Sequence, residues 1–350
     1  MALALALRNQ GVRAEIFEAR SRSAVSQDAR VLALSHGSRQ ILEGLRAWPG
    51  DGVTPIKTIH VSHRGGLGRV RIAAADLDVP ALGYVVGASE LIAKLDSALQ
   101  QTNIVYSENT KVDAGETAKL LCEHPLIAWA EGAVDCDAAR TRDYGQHAVL
   151  CTVQTVAPHM NVAWERFTAD GPLALLPRGN SYAVVLTCAA SDAAAIVNLS
   201  DTDFLPLLQR RFGDRHRFTV ATPRVSFALG LRWRVNPVSE RQVWLGNAAQ
   251  TLHPVAGQGF NLALRDIAEL TRCVADVSDP GSPEVLAGYV RGRQLDRRGA
   301  IGFTDLLIDS FASDFGPLKQ ARGAGLLALD LISPLRNFIA RRMMFGARSW

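Results

Sequence analysis

The period of the hydrophobic positions changes along the chain, and each change predicts an element. Residues 2–10 read Ala-Leu-Ala-Leu-Ala-Leu-Arg-Asn-Gln ahead of Gly11, a short helix with a glycine stop. Residues 12–18 then run through Ile16 and Phe17 to Glu18 as a strand. Asp28-Ala29-Arg30 follows a polar loop and opens a helix-like run over 31–35. The stretch 56–72, with Arg64-Gly65-Gly66 between its halves, predicts a strand pair, and 103–106 and 118–122 predict single strands. Leu126-Ile127-Ala128-Trp129-Ala130 predicts another, ended by Glu131-Gly132. From about 149 to 235, alternating runs such as 182–187 and 220–227 predict strands, with a helical insert around 202–212. Residues 241–245 read as a buried strand stopped by Gly246. From Asn261 onward, Leu262, Leu264, Ile267, Ala268 and Leu270 recur at helical spacing. The stretch 323–345 is apolar with basic punctuation and is broken by Pro334.

Composition narrows the class more than the function. With 350 residues, 48% of them hydrophobic, the chain can bury a full core, and its length suggests two domains. A net charge of +4 without a clustered basic face argues against nucleic acid. Cys122, Cys136, Cys151, Cys188 and Cys273 are odd in number and lack CxxC spacing, which fits small buried hydrophobes in a reducing cytoplasm. No run of about eighteen apolar residues appears, and residues 1–7 lack the basic start and cleavage site of a signal peptide, so no membrane span is expected. There is no metal-ligand spacing and no Ser-His-Asp arrangement, so no metal is expected. His60 and His63 lie on the expected strand pair and read as structural.

The chemistry concentrates in residues 246–266, where a strand end, a glycine-proline loop and a helix start follow one another. Gly257-Gln258-Gly259 falls at the helix N-terminus. Free N–H groups and the positive end of the helix dipole face whatever docks there, and glycines let a flat ring approach without an intervening Cβ.

In this run the chain resembles the class A flavin-dependent aromatic hydroxylases, and among them the ubiquinone-biosynthesis hydroxylases of the 2-octaprenyl-6-methoxyphenol hydroxylase type. The resemblance covers most of the chain. It is carried by Gly246-Asn247-Ala248-Ala249-Gln250, by Gly257-Gln258-Gly259-Phe260-Asn261 and by Asp266, with Asn247 standing where the family has Asp. Further support comes from Asp28-Ala29-Arg30-Val31-Leu32-Ala33-Leu34-Ser35, from Ile59-His60-Val61-Ser62 with Leu82-Gly83-Tyr84-Val85-Val86, and from Glu165-Arg166-Phe167-Thr168-Ala169-Asp170-Gly171-Pro172-Leu173. It implies an α/β fold: a Rossmann-like FAD-binding domain, incomplete at its N-terminus, with an inserted, mainly antiparallel β-sheet substrate domain and a C-terminal helical region. The flavin domain is then discontinuous over 1–52, 80–148 and 238–290, the substrate domain takes 53–79 and 149–237, and the helical region 291–350.

What the resemblance implies can be written residue by residue. Glu18 falls at the position that binds the ribose hydroxyls, and Arg30 at the one that reaches the FAD phosphates. Glu131, in place of Asp before Gly132, would lie over the pyrophosphate and ribityl chain. Gly246, Asn247, Pro254, Gly257, Gln258, Gly259 and Asn261 would hold the cofactor. His253 and Pro254 are the catalytic candidates, and His253 is also open to a structural reading. The implied reaction is hydroxylation of a polyprenyl methoxyphenol with FAD, NAD(P)H and O2, for which the protein binds, excludes water and orients.

Two departures stand against this. Ser89 replaces an Arg common in the family. The strand and GxGxxG turn that open a Rossmann unit are not found ahead of Ala2, so the chain as it stands is expected to hold FAD weakly and its parallel sheet to lack a central member. The alternative expectation is a non-catalytic lipid-binding subunit of a ubiquinone-biosynthesis assembly. The expected place is the cytoplasm. Residues 323–345 either lie on the inner-membrane surface, hold another protein of the pathway, or pack as a helix pair on the flavin domain.

Overall fold

The computed structural model describes residues 1–66, 68–132, 134, 139–252, 257–312 and 316–347; the side chains of Ala114 and of 307–322 fall outside that description. In chain order come α1 (Ala2–Asn9), β1 (Glu15–Phe17), α2 (Arg22–Ser26), β2 (Val31–Ser35) and α3 (His36–Gly44). β3 (Thr54–Ile56), β4 (Thr58–His63), β5 (Arg69–Ala73) and β6 (Gly83–Gly87) lead to α4 (Ala88–Gln100), β7 (Val105–Ser107), α5 (Ala114–Glu123) and β8 (Ile127–Trp129). Longer strands follow: β9 (Ala139–Thr155), β10 (Val162–Thr168), β11 (Gly171–Arg178) and β12 (Ser181–Ala189). After α6 (Ala190–Val197) and α7 (Asp201–Phe212) come β13 (Phe218–Ala221), β14 (Val225–Arg234), β15 (Val238–Ser239), β16 (Gln242–Trp244) and β17 (Gln250–Thr251). The remaining helices are α8 (Gly259–Val274), α9 (Pro283–Ala312), α10 (Gly316–Leu331) and α11 (Ser333–Phe345).

The alternating segments build one large sheet in the order β17-β14-β9-β12-β11-β10-β4-β5, with β13 also paired to β9. Its ladders are antiparallel except β10 with β4, where Glu165 pairs Val61 in parallel. The predicted strand pair at 56–72 thus joins the later strands, as expected. One face buries Val149, Val153, Leu173, Leu175, Val184 and Leu186 against Phe204, Leu208 and Phe212 of α7. Fully burying each of these side chains contributes about 1.5–3 kcal/mol, so α7 is held by its apolar stripe. On the opposite face Ala163, Ile59 and Leu176 meet Ile56, Val85 and Val31. Those last three belong to a small sheet ordered β2-β6-β3. Beside that contact Leu150, Glu165, Ala174 and Val185 stay half-buried. The inner face is therefore only partly covered.

The parallel strands form two separate pieces among the described residues. β1 pairs β7, and β8 pairs β16, which also carries β15. Helix α1 packs against both sides: Ala2, Leu5 and Ala6 join the cluster of Leu34, Leu42 and Leu91, while Leu3 and Leu7 pack near Val243 and Leu245.

Two local readings change. Residues 31–35 are strand, not helix, because every one of them pairs with β6, from Val31 opposite Gly87 to Ser35 opposite Gly83. A five-residue apolar run has no period of its own, and the ladder decides it. Residues 118–122 are helix, not strand. Asp113 accepts from the Glu116 N–H at 2.9 Å while Glu116 accepts from the Asp113 N–H at 3.1 Å, a reciprocal cap that starts α5. At the far end α11 docks Ala340 and Met344 against Ala74, Leu77 and Leu82, and Ser35 Oγ donates to the Met344 carbonyl at 2.8 Å. Among the described residues no helix is long and apolar enough to cross a membrane.

Candidate active site

Just past β16, Gly246 has φ +54, a left-handed conformation that favours glycine, and a Cβ there would stand 3.0 Å from Ala263. The Gly246 N–H donates to Asp266 Oδ2 at 3.0 Å, and Gln250 Nε2 donates to the same oxygen at 3.0 Å. Asp266 is completely buried. Its charge is met by Arg293 of α9, whose Nε donates to Oδ1 at 2.6 Å. Arg293 also reaches Asp296 at 2.5 Å, and Arg265 bridges Asp296 at 3.4 Å to Gln258 Oε1 at 2.8 Å. Burial works against the charge on Arg293, but the Asp266 and Asp296 carboxylates more than offset it and leave its pKa raised. A buried pair of this kind is strongly destabilising when one partner is removed.

The other half of the loop backs onto the small sheet. Gly257, φ +58, lies so close to β2 that a Cβ would stand 3.3 Å from Ala33. Asn261 locks this approach. Its Oδ1 accepts from the Ser35 N–H at 2.8 Å and Ser38 Oγ at 2.7 Å, and its Nδ2 donates to the carbonyls of Ala33 at 3.0 Å and Gly257 at 2.8 Å. The side chain is fully committed to the protein, so it shapes the loop from behind. Gln258, at the N-cap of α8, makes no side-chain cap, and a Cβ on Gly259 would meet no described residue within 4 Å. First-turn N–H groups with no side-chain cap suit an anionic or electron-rich edge.

Glu18 follows β1 directly, beside a cavity of about 220 Å³ lined by Ile16, Tyr106, Phe260, Ala263 and Leu264. Its Oε1 accepts from the Arg20 N–H and Nε, both at 3.1 Å. The cavity thus brings Glu18 to the first turns of α8. Arg30 is placed differently: its guanidinium forks onto Asp28 at 2.5 and 2.9 Å, with 60% of its side chain exposed. Hydrogen bonding to Arg30 holds the Asp28 pKa below the usual carboxylate range. The Asp28 and Arg30 carbonyls accept from Ser89 and Ala88 at the start of α4. Glu131 and Gly132 are exposed at the end of β8. Asn247 is half-buried, its carbonyl 3.4 Å from Thr251 Oγ1. His253 and Pro254 lie outside the described residues. His60 sits on the helix-covered face of the large sheet, its ring 4.5 Å from that of Trp164, and burial with Arg215 and Arg69 lowers its pKa to about 4.

The structure therefore brings Gly246, Gly257, Gln258, Gly259 and Asn261 together at the start of α8, with Glu18 across the adjoining cavity. A glycine at a helix N-terminus and a carboxylate just after a strand are groups of the kind that fit a flavin ring edge and a ribose. Sequence reading missed Arg293, Asp296 and Arg297. Their signal was the charge pattern Arg291-Gly292-Arg293-Gln294-Leu295-Asp296-Arg297 in an otherwise mixed helix, where Arg297 donates to Gln250 Oε1 at 2.6 Å.

The model of the family described as FAD binding domain matches residues 125–303. An uncharacterized protein of Synechocystis sp., slr1300, is 31% identical, over 99% of this chain and 90% of its own length. The ubiquinone hydroxylase UbiL of Rhodospirillum rubrum is 30% identical, over 98% of this chain and 86% of its own. Among solved structures, PqsL of Pseudomonas aeruginosa, described as a probable FAD-dependent monooxygenase, superposes with a TM-score of 0.71 over 93% of this chain and 96% of that one. At 16% identity it speaks for the fold alone.

Proposed function

The chain belongs to the FAD binding domain family, and from that premise we propose that it is an FAD-dependent monooxygenase that hydroxylates the ring of a polyprenyl methoxyphenol in ubiquinone biosynthesis. The similarity to a protein named ubiquinone hydroxylase along nearly the whole chain supports the pathway. One observation carries the site. The Gly257 end of the loop rests on Ala33 of β2, and the same small sheet, through Val31 and Val85, meets Ala163 and Leu176 on the half-covered face of the large sheet. A ring bound at Gly259 and a phenol on that face would share one water-poor space.

When bound, FAD would pass electrons from NAD(P)H to O2 and deliver one oxygen atom to the ring. The α8 N-terminus stabilises negative charge on whatever edge sits at Gly259. Asp266, Arg293 and Asn261 fix the loop from behind, so its N–H groups need no reorganisation on binding. The apolar inner face keeps water from the reacting ring. Exposed Leu327, Leu331, Ile332, Leu335 and Phe338 on α10 and α11 support a role for that edge in shielding the polyprenyl tail or resting on the inner-membrane surface from the cytoplasmic side.

The test uses Gly259→Val. No described residue stands within 4 Å of where the new side chain would begin, and circular dichroism checks that the variant folds. FAD titration followed by quenching of flavin fluorescence should show binding to the parent chain, and affinity at least about tenfold weaker in the variant, the scale of a lost 1.4 kcal/mol. Equal affinities would show that the flavin does not lie against Gly259.

A further inference from the structure

Glu165 is an acid with no partner among the described residues, on the face where the substrate would lie. Along β10 it follows Ala163 at the next inward position, and its register partners are Val61 on β4 and Ala174 on β11, with Val185 beyond Ala174 on β12. All three neighbours are apolar and half-buried, as is Glu165. The carboxyl makes no hydrogen bond or ion pair with any described residue, and burial pushes its pKa up to about 7. An unpaired carboxyl in such a place works against folding, and strand alternation would tolerate an apolar residue there.

The titratable groups on the surrounding elements are directed elsewhere or leave the carboxyl unaffected. Tyr84 of β6 accepts from Arg39 at 2.6 Å. Asp305 of α9 accepts from Arg142 and Tyr144, and Asp330 of α10 from the Arg71 N–H. Arg336 and Arg341 of α11 reach Asp76 and the Leu77 carbonyl. Arg178 of β11 lies beside Gly87, and His63 shares the inner face of β4, yet burial alone sets the Glu165 shift.

We propose that Glu165 is a catalytic residue of the hydroxylation, accepting the hydrogen bond and then the proton of the substrate phenol. The assignment rests on the phenol-binding reading above. In the step the phenol O–H bond breaks, an O–H bond forms on the carboxylate, and the electron pair stays on the ring oxygen, from which it raises electron density at the ring carbon to be oxidised. A group that ionises near neutral pH can alternate between these states at little cost.

The test reads binding, with no turnover. Dissociation constants of a short-chain prenyl methoxyphenol and of its methyl ether are measured at pH 6 and pH 8 on the parent chain and on Glu165→Gln, whose folding is checked by circular dichroism. In the parent chain the preference for the phenol over the ether should grow about tenfold between the two pH values, as a charged acceptor replaces a neutral one. In Glu165→Gln the preference should not change with pH. The same pH-dependent preference in both proteins would overturn the Glu165 assignment while leaving the phenol site standing. No binding of either compound to the parent chain would overturn both.

Discussion

Replacing Arg293 with Met removes the guanidinium that answers Asp266 while keeping most of the apolar stem. The carboxylate would remain completely buried, with the Gly246 N–H and the Gln250 amide at 3.0 Å as its remaining hydrogen-bond donors and the Arg265 and Arg297 charges nearby but not bonded to it. Asp296 is less affected, since Arg265 at 3.4 Å and the Ala347 N–H at 2.5 Å still reach it. Removing one partner of a buried pair costs about 3–5 kcal/mol, mostly the penalty of the stranded charge. Urea unfolding followed by tryptophan fluorescence gives the number. The double variant Asp266→Asn, Arg293→Met is the control: with no charge left to strand, it should recover at least half of the loss. A single variant within about 1 kcal/mol of the parent would refute the reasoning and show that Asp266 is satisfied without α9.

Glu165→Gln should show the opposite sign in stability. The folded-state pKa of Glu165 lies at about 7 against 4.5 for the free side chain, so its favourable contribution is complete below about 4.5 and is lost as pH rises through 7. Above pH 8 the variant should be more stable than the parent by up to about 3 kcal/mol, with little difference at pH 4.5, read from urea midpoints across pH; a constant difference would remove burial as the cause. Asn261→Ala strands the Ser35 N–H and the Ala33 and Gly257 carbonyls, and should cost about 3 kcal/mol and weaken FAD binding together; loss of neither would separate the loop from β2. Affinity for methoxyphenols should rise with tail length, each buried CH2 contributing about 0.8 kcal/mol before ordering costs; affinity independent of length would point to a small water-soluble phenol.

Much of the site was legible because its elements are local. Residues 246–266 carry their own strand end, glycine positions and helix period, and the structure puts β16, Gly246 and α8 where those signals fall. The large sheet was legible for the same reason, since alternation over 182–187 is a property of the residues themselves. What escaped depends on partners far along the chain. Residues 31–35 became strand through pairing with 83–87, and Arg293 acquired its role from an aspartate on another helix. The inward face of Glu165 needed the register with Val61 and Ala174, which no single strand announces.

Oxygen transfer itself tests the central claim most directly. The protein, saturated with FAD and supplied with NAD(P)H, a prenylated methoxyphenol and O2 enriched in the heavy isotope, should yield a product carrying one labelled oxygen, seen by mass spectrometry as a single added atom that does not come from water. Reductant consumption with no hydroxylated product, or an added oxygen atom that lacks the label and so comes from water, would contradict the assignment of this fold to ring hydroxylation.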